Sequence, residues 1–305
     1  PPLAFVEAWT VDVKDPRASQ GRLYRKATPA EAQLDLVELA QEWELAEARA
    51  KKLMDEFRGK QVAHVMGKVR KLLMANPATI TDAQVEALKK PNKRLLDEYT
   101  RRLSAIAAAE LDRGRADVTA ELRFQERAVR RAGRPLKIER TPGFNPTSTT
   151  QEIRAQLRKI AKQGIEREAG KFADAAVTAA VGQLGQGVPN LQRVESAMTQ
   201  LSRGPLFAAA RQSVATGLNG GRHVGAVGAG AESMTYSTVL EDGNVCDACR
   251  EDDGKTTDVG SPEYFQLRPP NRECFSETRG NDNQCRCFGI YQYDTEGAEA
   301  PAEAA

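Results

Sequence analysis

The chain has 305 residues, of which 28% are charged, 40% apolar and 6% aromatic, and its formal net charge is +2. That length accommodates one large domain or two ordinary ones, and no run approaches the ~18 uninterrupted apolar residues that a membrane helix needs. An aromatic-poor, alanine-rich composition favours helices packed along narrow seams, so a mainly α fold with no membrane partner is expected.

Residues 1–27 read as an extended arm: Phe5-Val6-Glu7-Ala8-Trp9-Thr10-Val11 alternates, and Asp15-Pro16 turns the chain. Residues 28–140 form a long-helix region, expected to be a helical hairpin. Thr28, Pro29 and Glu31 supply a capping hydroxyl, a first-turn proline and a carboxylate that reaches back. Leu36, Leu39, Trp43, Ala46, Ala50, Leu53 and Phe57 then alternate steps of three and four, the spacing by which one helix lays a seam on another. A second seam, Val62, Val65, Val69 and Leu72, follows a shift in phase, and Gly59 is the expected kink. Asn76-Pro77 ends this pattern, and Thr81 with Gln84 opens a short helix that stops near Pro91. Leu96, Tyr99, Leu103, Ile106, Leu111, Val118 and Leu122 mark a second long helix, broken at Gly133 and Pro135. The simplest arrangement for the two is antiparallel.

Residues 141–148 are rich in turn formers and are expected to be a linker. A compact helical domain, 149–293, follows. Thr149 and Glu152 are expected to cap a helix carrying Ile153, Leu157, Ile160, Ile165 and Phe172, ended by glycines at 182, 185 and 187. Two shorter helices are expected near 189–202 and 205–218. The glycine-rich stretch Gly217 to Gly230 lacks a phosphate-binding G-x-G-x-x-G between strand and helix, and is read as flexible packing. Met234 to Val239 and Phe288 to Tyr293 alternate as strands that could pair, framing a small α+β cysteine-rich module, 234–293. Residues 294–305, rich in alanine and glutamate, are expected to be a disordered tail.

Charge is distributed unevenly. Residues 133–222 carry 13 bases and 6 acids, and 223–305 carry 6 and 16. Within 113–171 the count is 15 to 7, with arginines at Arg123, Arg127, Arg130, Arg131, Arg134, Arg154 and Arg158. Such a segment could contact DNA through its phosphates without reading sequence, with solvated helix faces as the plainer alternative. Catalysis is not expected: His64 lies in a helical seam and His223 among glycines, neither at a recognisable spacing from a serine or cysteine nucleophile.

All five cysteines, Cys246, Cys249, Cys274, Cys285 and Cys287, fall in one late window. Nothing near the start resembles a secretory signal, and the count is odd, so reduced thiols binding a metal are favoured over disulfides or buried thiols without metal. Cys246-Asp247-Ala248-Cys249 has the spacing by which two thiolates reach one zinc ion, and Cys285-Arg286-Cys287 supplies a second pair, with Cys274 able to replace one member. Four thiolates close the zinc shell and leave no position for substrate, so the ion would be structural.

Tyr236-Ser237-Thr238-Val239, Val245-Cys246-Asp247-Ala248-Cys249, Asp253-Gly254-Lys255, Pro269-Pro270 and Cys285-Arg286-Cys287, in that order and spacing, resemble the C-terminal signature of phage Mu F-type minor head proteins. The resemblance covers about residues 234–290, and the helical stretch before it is compatible with the rest of that family's domain. The family's histidine between the proline pair and the closing C-R-C is replaced here by an insertion containing Cys274. The resemblance implies a minor capsid protein of head morphogenesis in a tailed phage, assembled in the host cytoplasm and located in the virion near the portal protein. Both a separate protein and a fusion to the portal are compatible with the resemblance, and some relatives contact packaged DNA. Docking on the portal or self-association would fall to the long helices.

Overall fold

A computed structural model describes residues 34, 36–75, 81–131, 144–182, 190–201, 204–238, 240, 245–270 and 286–293. The arm 1–27, the Thr28 cap, residues 141–143 of the expected linker, the tail 294–305, Arg134, Cys274 and Cys285 lie outside the described residues. The fold is mainly α, with long helices on the N-terminal side and a small antiparallel sheet towards the C-terminus. In chain order the elements are α1 (Leu36–Ala75), α2 (Asp82–Lys89), α3 (Lys93–Arg131), α4 (Pro146–Val181), α5 (Leu191–Thr199), α6 (Gly204–Gly228), β1 (Ser233–Ser237), α7 (Asp247–Asp252), β2 (Thr256–Asp258), α8 (Pro262–Leu267) and β3 (Phe288–Gln292).

The chain groups into two compact units: residues 1–46, 107–157 and 214–305 in one, and 47–106 and 158–213 in the other. The division falls inside α1, α3, α4 and α6, not at the expected linker. The two ends of a helix longer than the width of one core pack against different neighbours, so a boundary can lie mid-helix.

In the second unit, Val65, Met66 and Val69 of α1 pack with Leu88 of α2, Phe172, Ala176 and Ala180 of α4, and Val194 and Met198 of α5. The helix α1 passes through Gly59 unbroken. Within this unit α1 and α3 run antiparallel, since Glu56 meets Arg102 at 2.9 Å and Lys60 meets Glu98 at 3.5 Å. Buried Arg58 donates to the carbonyls of Met198, Thr199 and Leu201, satisfying the open end of α5, and its guanidinium lies over the Phe172 ring. At the start of α2, the Gln84 side chain accepts from the Thr81 N–H, as its sequence implies.

In the first unit the helix α6 replaces the flexible glycine stretch expected from the sequence. It continues through Gly217, Gly220, Gly221 and Gly225 to Gly228 because glycine is needed there for contact. A Cβ on Gly217 would overlap the Ala107 carbonyl oxygen, one on Gly221 that of Leu111, and one on Gly114 of α3 that of Leu218. Contact positions rise together on both helices, so α3 and α6 run parallel with their backbones touching. The expected seam residue Ile106 is only half-buried, and Ala107 takes the inward position. Ile153 and Leu157 of α4 complete this layer with Leu111 and Val224. That helix begins at Pro146, earlier than the Thr149 and Glu152 cap predicts: the Asn145 side chain accepts from the N–H groups of Thr147 and Ser148, with proline at the first helical position.

The sheet has the order β2-β1-β3. The two expected strands do pair, antiparallel, with Ser233 opposite Gln292 and Ser237 opposite Phe288. The third strand, β2, is one that alternation does not reveal; it pairs Thr256 with Thr235 and Asp258 with Ser233.

Two glycine substitutions should have opposite signs. Gly221→Ala pushes a methyl into a helix backbone and should lower stability by about 1–3 kcal/mol. Gly67→Ala lies on an exposed face of α1 with nothing within 4 Å and should raise it by about 0.5–1 kcal/mol. Urea unfolding followed by circular dichroism checks both.

Candidate metal centre

Three of the five cysteines are described, and all three are buried in one cluster with Tyr236, Val245 and Ala248. Cys246 is the residue from which α7 starts, which carries Cys249 into the interior one turn later. Cys287 comes from the other side, at the entry to β3. Tyr236, on central strand β1, donates its hydroxyl to Cys249 Sγ at 3.3 Å, and Cys287 is its second sulfur neighbour. Burial, then Cys287 and Cys249, push that hydroxyl far above the usual tyrosine range.

The acidic turn closes the module. The Gly254 N–H donates to the Tyr236 carbonyl and the Tyr236 N–H to the Lys255 carbonyl, both at 2.9 Å, while Asp253 Oδ1 accepts from the Thr238 N–H. Gly254 has φ of +81°, which favours glycine at this point of the D-G-K turn. Of the neighbouring acids, Glu251 and Asp252 end α7 and Asp253 begins the turn, with Asp252 pairing with Lys255 at 2.8 Å.

Among the described residues no three His, Cys, Asp or Glu side chains form a group that could hold a metal ion. Buried sulfurs from two chain segments meet in one apolar cluster, but the three described cysteines do not form such a group, and Cys274 and Cys285, the rest of the expected zinc set, lie outside the described residues.

The supports of this module were not visible in the sequence. The outer edge of β3 presents the carbonyls of Cys287, Gly289 and Tyr291 away from β1. They accept, in order, from Asn219 Nδ2 at 3.0 Å, Arg222 Nε at 3.0 Å and Gln125 Nε2 at 3.1 Å. Arg222 is fully buried and forms a two-point pair with Glu121 at 2.6 and 2.9 Å, with its guanidinium over the Phe288 ring. Burial opposes its charge, but Glu121 and then Asp117 outweigh this and raise its pKa. Ser261 caps α8 by accepting from the Tyr264 N–H, with Pro262 next. Ser-Pro-Glu at 261–263 was a readable helix start.

His223, the candidate for a catalytic base, is buried, its Nδ1 bonded to the Tyr264 hydroxyl, which in turn meets the Tyr291 hydroxyl at 3.2 Å. Burial, and next Arg268, lower its pKa to about 3. His64 is half-buried, with Nδ1 3.5 Å from the Asn92 amide, and is lowered by burial and Lys68.

The described arginines expected to meet DNA lie on α3 and α4. Arg123 and Arg127 are exposed one turn apart near the end of α3. Arg130 pairs with Glu126 at 2.7 Å and Arg154 with Asp112 at 3.2 Å, both at the surface, while Arg158 is exposed in the other unit. Arg131 closes α3, and its side chain lies outside the description.

Comparison with protein-family models, with curated proteins and with solved structures found no match to this chain.

His223 yields a signed pH effect. Its pKa is lower folded than unfolded, so the unfolded chain binds the extra proton and stability falls as pH drops from about 6.5 towards about 3. His223→Gln should flatten the fall by up to about 1.4 kcal/mol per pH unit, read as the difference between wild-type and variant urea midpoints across that window.

Proposed function

We propose that this chain is a structural, non-catalytic minor component of a tailed-phage head, acting at or near the portal during procapsid assembly and DNA packaging. The observation that carries this reading is the convergence of the signature residues. Tyr236, Thr238, Cys246, Cys249, Asp253, Gly254, Lys255 and Cys287, spread over some fifty positions of sequence, belong to one small module bonded through its backbone and its buried sulfurs. These are the residues on which the resemblance to the Mu F-type minor head proteins rests. Their environment supports a stapled scaffold: the sulfurs face an apolar cluster, and the histidine at hand is bonded to the Tyr264 hydroxyl.

In this role the cysteine module holds the C-terminal part of the chain rigid through a structural zinc ion, and the long helices provide docking surface for the portal protein or for further copies. DNA contact through 113–171 is the secondary reading. Exposed Arg123 and Arg127 favour it, since two cations one helical turn apart can neutralise two neighbouring phosphates.

The reading is tested by metal analysis of the purified full chain and by electron microscopy of intact particles. One zinc per chain, lost in Cys249→Ser, together with density for the chain beside the portal axis, is the expected result. A metal-free chain, or particles that carry it nowhere near the portal vertex, would overturn it. For the DNA arm, Arg123→Ala with Arg127→Ala should reduce the slope of log affinity against log salt by about 1.8, two phosphates at about 0.9 each.

A further inference from the structure

We propose that the groove between α1 and α5 is where two copies of this chain meet, α1 of one lying antiparallel across α1 of the other about a two-fold axis at Ala63. The proposal rests on the reading above that the long helices provide docking surface for further copies, and deepens it by naming the face and the register.

The groove measures about 670 Å³ and lies wholly within the second unit. Its α1 side runs through exposed Asp55, Gly59, Ala63, Gly67 and Arg70, with Val62 and Met66 as an apolar floor. Glu195 and Thr199 of α5 form the other wall. At Gly59 and Gly67 nothing lies within 4 Å of the place a Cβ would take. Neither glycine interrupts the helix, which runs from Leu36 to Ala75, yet each lowers its propensity. Elsewhere in the chain such glycines are matched, those at 217 and 221 touching the backbone of α3. On α1 the same low relief faces open space, so the contact that would offset its cost is not made among the described residues.

Charge selects the occupant. The groove carries two acids, Asp55 and Glu195, and two bases, Arg58 and Arg70, so it offers no net field to a polyanion and no net repulsion to a copy of itself. Along α1 an acid stands at one end of the low stretch and a base at the other. Asp55 comes eight residues before Ala63 and Arg70 seven after it, each about 11 Å from the axis at about 1.5 Å per residue. Antiparallel pairing about that point sets Asp55 beside Arg70 of the second copy, Arg70 beside its Asp55, and Gly59 against its Gly67. Parallel pairing would set like charges together. The two-fold makes every contact twice, and the glycines let the helix axes approach to the short end of the packing range.

The experiment uses the full chain as wild type, Asp55→Arg, Arg70→Asp, the double exchange and Gly67→Gln, each followed by sedimentation velocity over a concentration series. Wild type should be dimeric at about 100 μM. Each single exchange should raise the dimer Kd by at least about 10-fold, because it turns both ion pairs into like-charge contacts. The double exchange should return it to within about 3-fold of wild type. Gly67→Gln should weaken the dimer as much by filling the groove, with unchanged circular dichroism because the position is open in the single chain. That variant carries the test where a charge variant does not fold. A wild type that stays monomeric would overturn the proposal and leave the virion reading, which is read from particles, intact. A dimer indifferent to Gly67→Gln would place the interface elsewhere and overturn it too. A double exchange that fails to restore association would overturn the register.

Discussion

The structure of the first unit depends on one requirement, that the outer edge of β3 be supplied with hydrogen-bond donors. A buried strand edge leaves carbonyls that cannot reach water, each costing as much as a lost hydrogen bond. Here the edge carbonyls of Cys287, Gly289 and Tyr291 are met by side chains of two helices, Asn219 and Arg222 from α6 and Gln125 from α3. The central donor is a charged one, which makes the bond stronger but brings a second requirement, a counter-ion in the same dry space. Glu121 meets it, and both groups are then committed to one arrangement.

This solution works only because α3 and α6 lie backbone to backbone. An arginine on α6 and a glutamate on α3 can share a two-point contact, and still leave Nε for the strand, when no side-chain layer separates the helices. Glycines at 114, 217 and 221 remove that layer. The cost is helix propensity, roughly 1 kcal/mol for each glycine in a helix interior. Tight helix contact and the satisfied strand edge offset it. The position of Cys287 follows from the same arrangement, since the strand that the helices hold is the strand on which the third sulfur is carried.

Much of the helical scaffold was legible because long periodic patterns depend on local spacing. Trp43, Leu53, Phe57, Tyr99, Leu103 and Leu111 all face inward as their spacing implies, and the two strands flanking the cysteines pair as their alternation suggests. The failures have physical causes. Glycines at 217, 221 and 225 repeat every four residues, a helical contact stripe, but low propensity argued for loop and the stripe went unread. β2 has three residues and no apolar alternation, so only its partner defines it. The contact between Glu121 and Arg222 joins positions 101 apart in sequence, beyond any local pattern. Grouping into units was illegible for a related reason: each is assembled from separated stretches, and no composition shift marks a boundary inside a helix.

The cysteine site shows how far a short motif carries. The C-x-x-C spacing implied that Cys246 and Cys249 lie close together, but not that they stand at the start of a helix, α7. It could not say what stands between them and Cys287. The structure puts a tyrosine hydroxyl there, presented from the middle strand of the sheet. A sulfur cluster whose neighbours are a fixed phenol and aliphatic side chains is poorly suited to exchange ligands or admit water, and well suited to hold two chain segments together. The helices that secure β3 from outside and the sulfurs that gather at its start thus act on the same few residues, so the strand is restrained at both its edge and its end.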